Sequence, residues 1–322
     1  MNNYVRLTLM FRRNIIVSAV VLLLFPSFAQ ADWIWTPETG RFINPKWEVK
    51  PTPADQLEYA QSFKDQGNCK KAIDQYRRLL KSYPRSKEAP EAEFYIGQCL
   101  EKLDKPYDAY KAYQMVIDKY PFSNRSAQIV AIEYNIANHL LENKGRSKWA
   151  QVALGSDDRV IEILNKVIKN APYGKYAAIS EYKIGLYYKE KGQYQDARDE
   201  FEKTMNDYPN SEWAQAAKFQ IAMADTARAS DAQHEQKVSS IALDEFKDFV
   251  KSHPDSELTP EAKEQMAKLK DMKAHNDFII AQFYQKQKKF KAARIYYQQV
   301  VDNYADTPWG YKAQTMLKTL GE

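Results

Sequence analysis

The sequence predicts an all-α array of repeated helix pairs, on three observations. One short junction motif recurs six times along the chain. Between junctions, apolar residues recur at helical spacing around a central turn. The 322 residues are 13% aromatic and 28% charged yet hydrophilic on average, which implies a high ratio of surface to core, as in an elongated array.

The junctions are KSYPRSKEAPEA (Lys81 to Ala92), DKYPFSNRSAQ (Asp118 to Gln128), KNAPYGKYAA (Lys169 to Ala178), NDYPNSEWAQAA (Asn206 to Ala217) and KSHPDSELTPEA (Lys251 to Ala262). A sixth, DNYADTPWGYKA (Asp302 to Ala313), has Ala305 where the others have proline. In each, a helix ends at an aromatic or its equivalent. A proline that cannot donate an i→i−4 hydrogen bond stops it, and a nearby Ser, Asn or Asp caps the next helix. The prolines at 84, 121, 172, 209 and 254 are 37, 51, 37 and 45 residues apart. The shorter steps fit a two-helix unit of about 34 residues, and the longer ones carry insertions.

This spacing predicts units at about 53–86, 87–122, 123–173, 174–210, 211–256 and 257–306, with a closing helix at 307–320. Within EYKIGLYYKEKGQYQDARDEFEKTMNDYP, Ile184, Gly185 and Tyr188 form one face of a first helix, Gly192 turns the chain, and Ala197 and Phe201 face back from the second. Small residues mark the close crossing, and the aromatics fill the space beside it.

These residues resemble the tetratricopeptide-repeat family, whose pattern places small and aromatic residues around Gly-x-aromatic-x-x-Ala and ends in Pro. The match runs through Ala60, Phe63, Gly67, Asn68, Cys69, Ala72, Tyr76 and Pro84, then Gly97, Leu100, Tyr107, Ala109, Tyr113 and Pro121, and finally Ala281, Tyr284, Phe290, Ala293 and Tyr297. The resemblance implies a right-handed superhelical solenoid of about six helix pairs plus a C-terminal helix. Two units depart from the pattern. Lys144 to Asp158 lengthens a turn as an ordered flap, and Leu258 to Lys288, without a breaker after Pro260, predicts one long helix acting as a strut.

At the N-terminus, Arg6, Arg12 and Arg13 precede an apolar run from Ile15 to Phe25, then Pro26 and Ala29-Gln30-Ala31. This is the layout of a secretory signal peptide, residues 1–31, cut between Ala31 and Asp32; the run is short for an uncleaved anchor. Its removal lowers the net charge from +5 to about +2. With export and with Lys and Arg interleaved among Asp and Glu, nucleic acid is excluded as a partner. Residues 32–52 form an extended Trp- and Pro-rich arm with Trp33, Trp35, Trp47, Phe42 and Ile43. Such an arm either caps the first repeat or grips a partner or the membrane interface.

No catalytic constellation is visible, so the chain reads as a non-enzyme without cofactor, metal or small-molecule substrate. His139, His234, His253 and His275 are isolated, and His253 stands where other junctions carry Tyr83, Tyr120, Tyr208 and Tyr304, as a packing residue. Carboxylate pairs such as Asp157-Asp158 fit helix N-termini. Cys69 and Cys99 fall at the same end of neighbouring units, and either pair as a disulfide or lie as two buried thiols.

A solenoid's first helices make a concave wall that binds peptides or partner domains. Gln61, Lys64, Phe94, Gln98, Lys102, Tyr134 and Asn138 fall there: amides for a peptide backbone, aromatics for an aromatic side chain, Lys for a terminal carboxylate. The alternative is a set of solvated helix faces. Asp244 to Thr307 is further similar to the outer-membrane assembly factor BamD, in the order Phe-x-x-Phe-Val, His-Pro-Asp-Ser, Thr-x-x-Ala, Leu-Lys-Asp, Ala-x-x-Tyr-Tyr. That resemblance implies a periplasmic, non-catalytic scaffold at the inner face of the outer membrane. Its N-terminal units would meet unfolded barrel proteins, and its C-terminal units, around Lys291, Arg294 and Tyr296, would dock the barrel-assembly subunit, the chain being a monomer within that complex. BamD proteins carry a lipidated cysteine at the end of the signal; here no cysteine precedes Cys69, so membrane association is expected to be indirect, without a lipid anchor. The alternative function is a soluble periplasmic repeat scaffold for another envelope process such as division-linked constriction.

Overall fold

Thr52 opens the helical region: its hydroxyl accepts a hydrogen bond from the Asp55 amide (3.2 Å), and Pro53 starts the first turn, where its missing N–H has no cost. The computed structural model describes residues 34–36, 41–43, 48–142, 156–231 and 236–321. The expected leader with its Ala31/Asp32 boundary, Trp33, Trp47, most of the 144–158 insertion, His234 and the side chains of Asp157 and Asp158 lie outside the described residues. The chain divides into two compact units, Met1–Cys99 and Leu100–Glu322.

The first unit holds two short strands and the first helices. Strands β1 (Ile34–Thr36) and β2 (Arg41–Ile43) pair antiparallel, with Trp35 opposite Phe42 and their rings edge-to-face at 5.1 Å. Part of the expected extended arm is therefore a hairpin. Its three-residue strands are too short to show an alternating pattern in the sequence. Helices α1 (Pro53–Asp65) and α2 (Cys69–Ser82) form an antiparallel pair around Gly67, which turns the chain at φ +77°. Asn68 caps α2 through its side chain on the Lys71 amide. Helix α3 (Ala89–Lys102) follows the first junction, and Tyr83 of that junction donates its hydroxyl to the Lys50 carbonyl (2.7 Å), tying the end of the arm to the helices.

The second unit continues with α4 (Pro106–Lys119), α5 (Ser126–Glu142), α6 (Ser156–Asn170), α7 (Ala177–Glu190), α8 (Tyr194–Asp207), α9 (Glu212–Asp231), α10 (Gln236–Ser252), α11 (Thr259–Lys286), α12 (Phe290–Tyr304) and α13 (Pro308–Gly321). Its helices pack against their sequence neighbours, and the repeat region is all-α. Gly185 on α7 shows why the pairs need a small residue: a Cβ there would lie 2.5 Å from the ring of Phe201 on α8. The strut expected after Pro260 is α11, whose 28 residues span about 42 Å. It joins two cores, contributing Leu269 to one with Phe219, Phe246 and Phe249, and Phe278 to the other with Tyr297, Val300 and Tyr304.

His253 packs as its position among the junction tyrosines predicts, its ring stacked on Phe249 at 5.2 Å. His275 stacks on Trp309 at 4.0 Å. Cys69 and Cys99 are not joined by a disulfide; both are buried thiols beside Tyr76, whose own phenol is pushed up mainly by burial. Free energy gained by burying two small apolar side chains accounts for them there without a covalent bond.

Candidate partner-binding surfaces

The wall residues divide by burial. In the first unit, Gln61, Lys64 and Gln98 are half-buried, and the Lys64 ammonium sits 4.1 Å over the Tyr95 ring. Phe94 does not face a groove. It is 1% exposed, with its ring edge-to-face on Tyr95 at 6.0 Å. In the second unit Lys102 is exposed, whereas Tyr134 is buried and stacks on Tyr176 at 4.7 Å. Asn138, one turn on, hydrogen-bonds to Tyr134. Its Oδ1 is buried without a partner, an unmet acceptor at that point.

Beside Tyr134 lies a polar interior the sequence does not reveal. Glu133 is fully buried, and the Asn170 amide donates to its Oε2 (3.1 Å) and to Gln114 Oε1 (2.9 Å). Desolvation raises its carboxyl from 4.5 to about 8, against the opposing hydrogen bond from Asn170. Glu181 is likewise raised to about 8, by burial and then by its hydrogen bond with Glu200. Arg198 on α8 binds Asp225 of α9 and Glu245 of α10, clamping three helices together. Glu133 and Glu181 are buried among the helices, whereas Arg198 and Glu245 are each 22% exposed. Among the described residues no group of three or more His, Cys, Asp or Glu could hold a metal ion.

The docking residues expected near the C-terminus, Lys291, Arg294 and Tyr296, all lie on α12. The α11–α12 turn projects Lys288, at φ +61°, and around it stand the exposed Lys286, Lys289, Lys291 and Arg294. No acidic residue occurs between Asp277 and Asp302. Apolar side chains are also exposed on these two helices: Ile279 and Phe283 (54%) on α11, Phe290 (46%) and Ile295 (59%) on α12. Tyr296 stacks flat on Tyr284 at 5.1 Å, and Arg294 also donates to the Leu320 carbonyl, so both are held in place before any partner arrives. The turn is thus a cationic, apolar face of the kind that pairs with an acidic surface carrying an apolar anchor. Sequence reasoning named three of its residues and missed Phe283, Phe290 and Ile295, although the 24-residue stretch without an acid was there to be seen.

Comparison with known proteins falls on this same region. The family model described as an outer membrane lipoprotein, YfiO, matches residues 221–319, and tetratricopeptide-repeat models match 57–124 and 180–211. The chain thus carries tetratricopeptide repeats over 57–124 and 180–211 and a stretch over 221–319 that is similar to the outer membrane lipoprotein family. Both families are non-catalytic scaffolds. Among solved structures, it is similar to a tetratricopeptide-repeat protein from Bacteroides fragilis (14% identity, covering 84% of this chain and 100% of that one, TM-score 0.40). It is also similar to one from Parabacteroides merdae (14%, 84% and 99%, TM-score 0.34) and to the C-terminal part of one from Cytophaga hutchinsonii (17%, 81% and 87%, TM-score 0.36). No curated relative matches the chain. Among the described residues no helix is long and apolar enough to cross a membrane.

Proposed function

We propose that this protein is a non-catalytic periplasmic scaffold of the outer-membrane β-barrel assembly machinery, binding unfolded barrel proteins and the barrel-inserting subunit. The observation that carries the reading is the match of the outer membrane lipoprotein family over 221–319, the stretch that holds the cationic, apolar turn of α11 and α12. In this reading Lys291, Arg294 and Tyr296, with Phe290 and Ile295 beside them, dock the barrel-inserting subunit. Unfolded barrel segments meet exposed or half-buried polar groups of the N-terminal repeats: Gln61, Lys64 and Gln98 in the first unit, Lys102 and Asn138 in the second. Phe94 and Tyr134 shape those helices from inside. The protein is a monomer within its complex and reaches the outer membrane through that complex.

The test is co-purification from solubilised envelopes with mass spectrometry, together with direct binding of a barrel protein's C-terminal peptide. Recovery of an assembly subunit with measurable peptide binding is expected. Recovery of neither a subunit nor bound peptide overturns the reading.

A further inference from the structure

Five of the junction turns share one construction and differ most at one position. In each, a backbone amide closes a four-residue turn: Ser86 on Tyr83, Ser123 on Tyr120, Gly174 on Ala171, Ser211 on Tyr208 and Ser256 on His253. Proline occupies the second place in all five, where its fixed φ suits the turn. The third place, the apex, holds Arg85, Phe122, Tyr173, Asn210 and Asp255. Phe122 and Tyr173 are completely exposed, each a large aromatic ring on a rigid turn that buries none of its surface on its own protein.

These two apices belong to consecutive repeats of the second unit and lie at the same end of their helices. Asn170, the last residue of α6, donates to Gln114 near the end of α4 (2.9 Å), and Tyr176 after the second turn stacks on Tyr134 of α5. The ends of α4 and α6 therefore stand side by side. Each apex is flanked by cations, Lys119 and Arg125 about Phe122, Lys169 and Lys175 about Tyr173. The three lysines are exposed, and Arg125 is half-buried with its guanidinium on Gln128. Asp118, held by the Gln114 amide, is the one acid within these two turns, and Glu133 beneath is buried. At the next turn the apex is Asn210 and the flanking charges are Asp207 and Glu212, so the aromatic and basic character stops there.

We propose that the Phe122 and Tyr173 turns form a contact for an anionic lipid surface. Aromatic side chains project from two neighbouring turns with cations on both sides. A bilayer interface offers the matching layers: a headgroup region where rings insert and a negative charge that holds lysines. The groove beside Tyr173 is lined by Lys175, Asp207, Glu212 and Trp213 and does not reach Phe122. The contact is separate from the α11–α12 docking face and does not rest on the proposed barrel-assembly role.

The experiment is flotation of the full chain with vesicles of phosphatidylcholine alone or mixed with phosphatidylglycerol. The wild type is expected to float with the mixed vesicles and to be released by salt, which screens the lysines. Phe122→Ser/Tyr173→Ser should weaken that binding by about tenfold or more with an unchanged melting temperature, since neither ring is packed. Lys119→Gln/Lys169→Gln/Lys175→Gln should weaken it on mixed vesicles only. Failure of the wild type to bind any vesicle overturns the proposal. So does unchanged binding by the aromatic double variant, which would assign the contact to the N-terminal arm or to the α11–α12 turn. Loss of a captured protein without vesicle binding by the wild type overturns it in favour of a protein partner.

Discussion

The helices proposed to meet substrate and the hairpin proposed to dock a partner treat their aromatic side chains in opposite ways. Phe94 and Tyr134 are turned inward, one packed in the first unit's core and the other stacked on Tyr176. Phe283, Phe290 and Ile295 are turned outward among five cations. In an array of helix pairs, a first helix has neighbours on both sides, so an aromatic at a wall position is claimed by packing. The α11–α12 hairpin packs against α10 and α13, and its apolar residues that face neither are left for something else to cover.

The largest expected effect tests the inward half of this contrast. Phe94→Ala should destabilise the chain by about 3–5 kcal/mol, through lost burial and the cavity left behind, as read by denaturant unfolding. A change below about 0.5 kcal/mol would mean that Phe94 faces solvent.

The wall's inward polar group predicts a pH dependence. The folded chain keeps a proton on Glu133 up to about pH 8, whereas the unfolded chain loses it near 4.5. Between those values the folded state binds more protons, so stability falls with rising pH by roughly 1 kcal/mol per pH unit, and it is level on either side. Glu181 adds a second such slope. Glu133→Gln should remove one slope and leave the variant more stable than wild type at pH 8, measured by unfolding across pH 5 to 9. An unaltered slope would place the Glu133 carboxylate in contact with water.

The smallest stability effect belongs to the outward half. Phe290→Ser/Ile295→Ser should shift stability by less than about 0.5 kcal/mol, while weakening capture of the barrel-inserting subunit by about tenfold. A drop of several kcal/mol would show these side chains to be core.

Much of the fold was legible because it rests on chemistry confined to a few adjacent residues. Proline at the second place of five of the six junction turns, glycine at the turn of α1 and α2, and Gly185 under Phe201 each mark a geometry that few other residues permit. His253 was legible by the same positional logic. The sites were less so. Whether Phe94 packs or projects depends on which neighbour covers a helix buried on two faces, and a helical period alone does not decide between faces. Cys69 and Cys99 stand at corresponding ends, yet pairing needs a Cα and Cβ geometry that no spacing encodes. Glu133 looks in sequence like any charged residue on a helix; only the packing of α6 against α5 makes it buried. The docking turn lies between these cases, since its charge pattern is plain in sequence and its exposed Phe and Ile are not.

The most direct measurement of the functional claim is charge reversal at that turn. Lys291→Glu/Arg294→Glu in the full chain should abolish capture of the barrel-inserting subunit from solubilised envelopes, with helix content and melting temperature close to wild type. Capture at the wild-type level by a folded variant would contradict docking through this face.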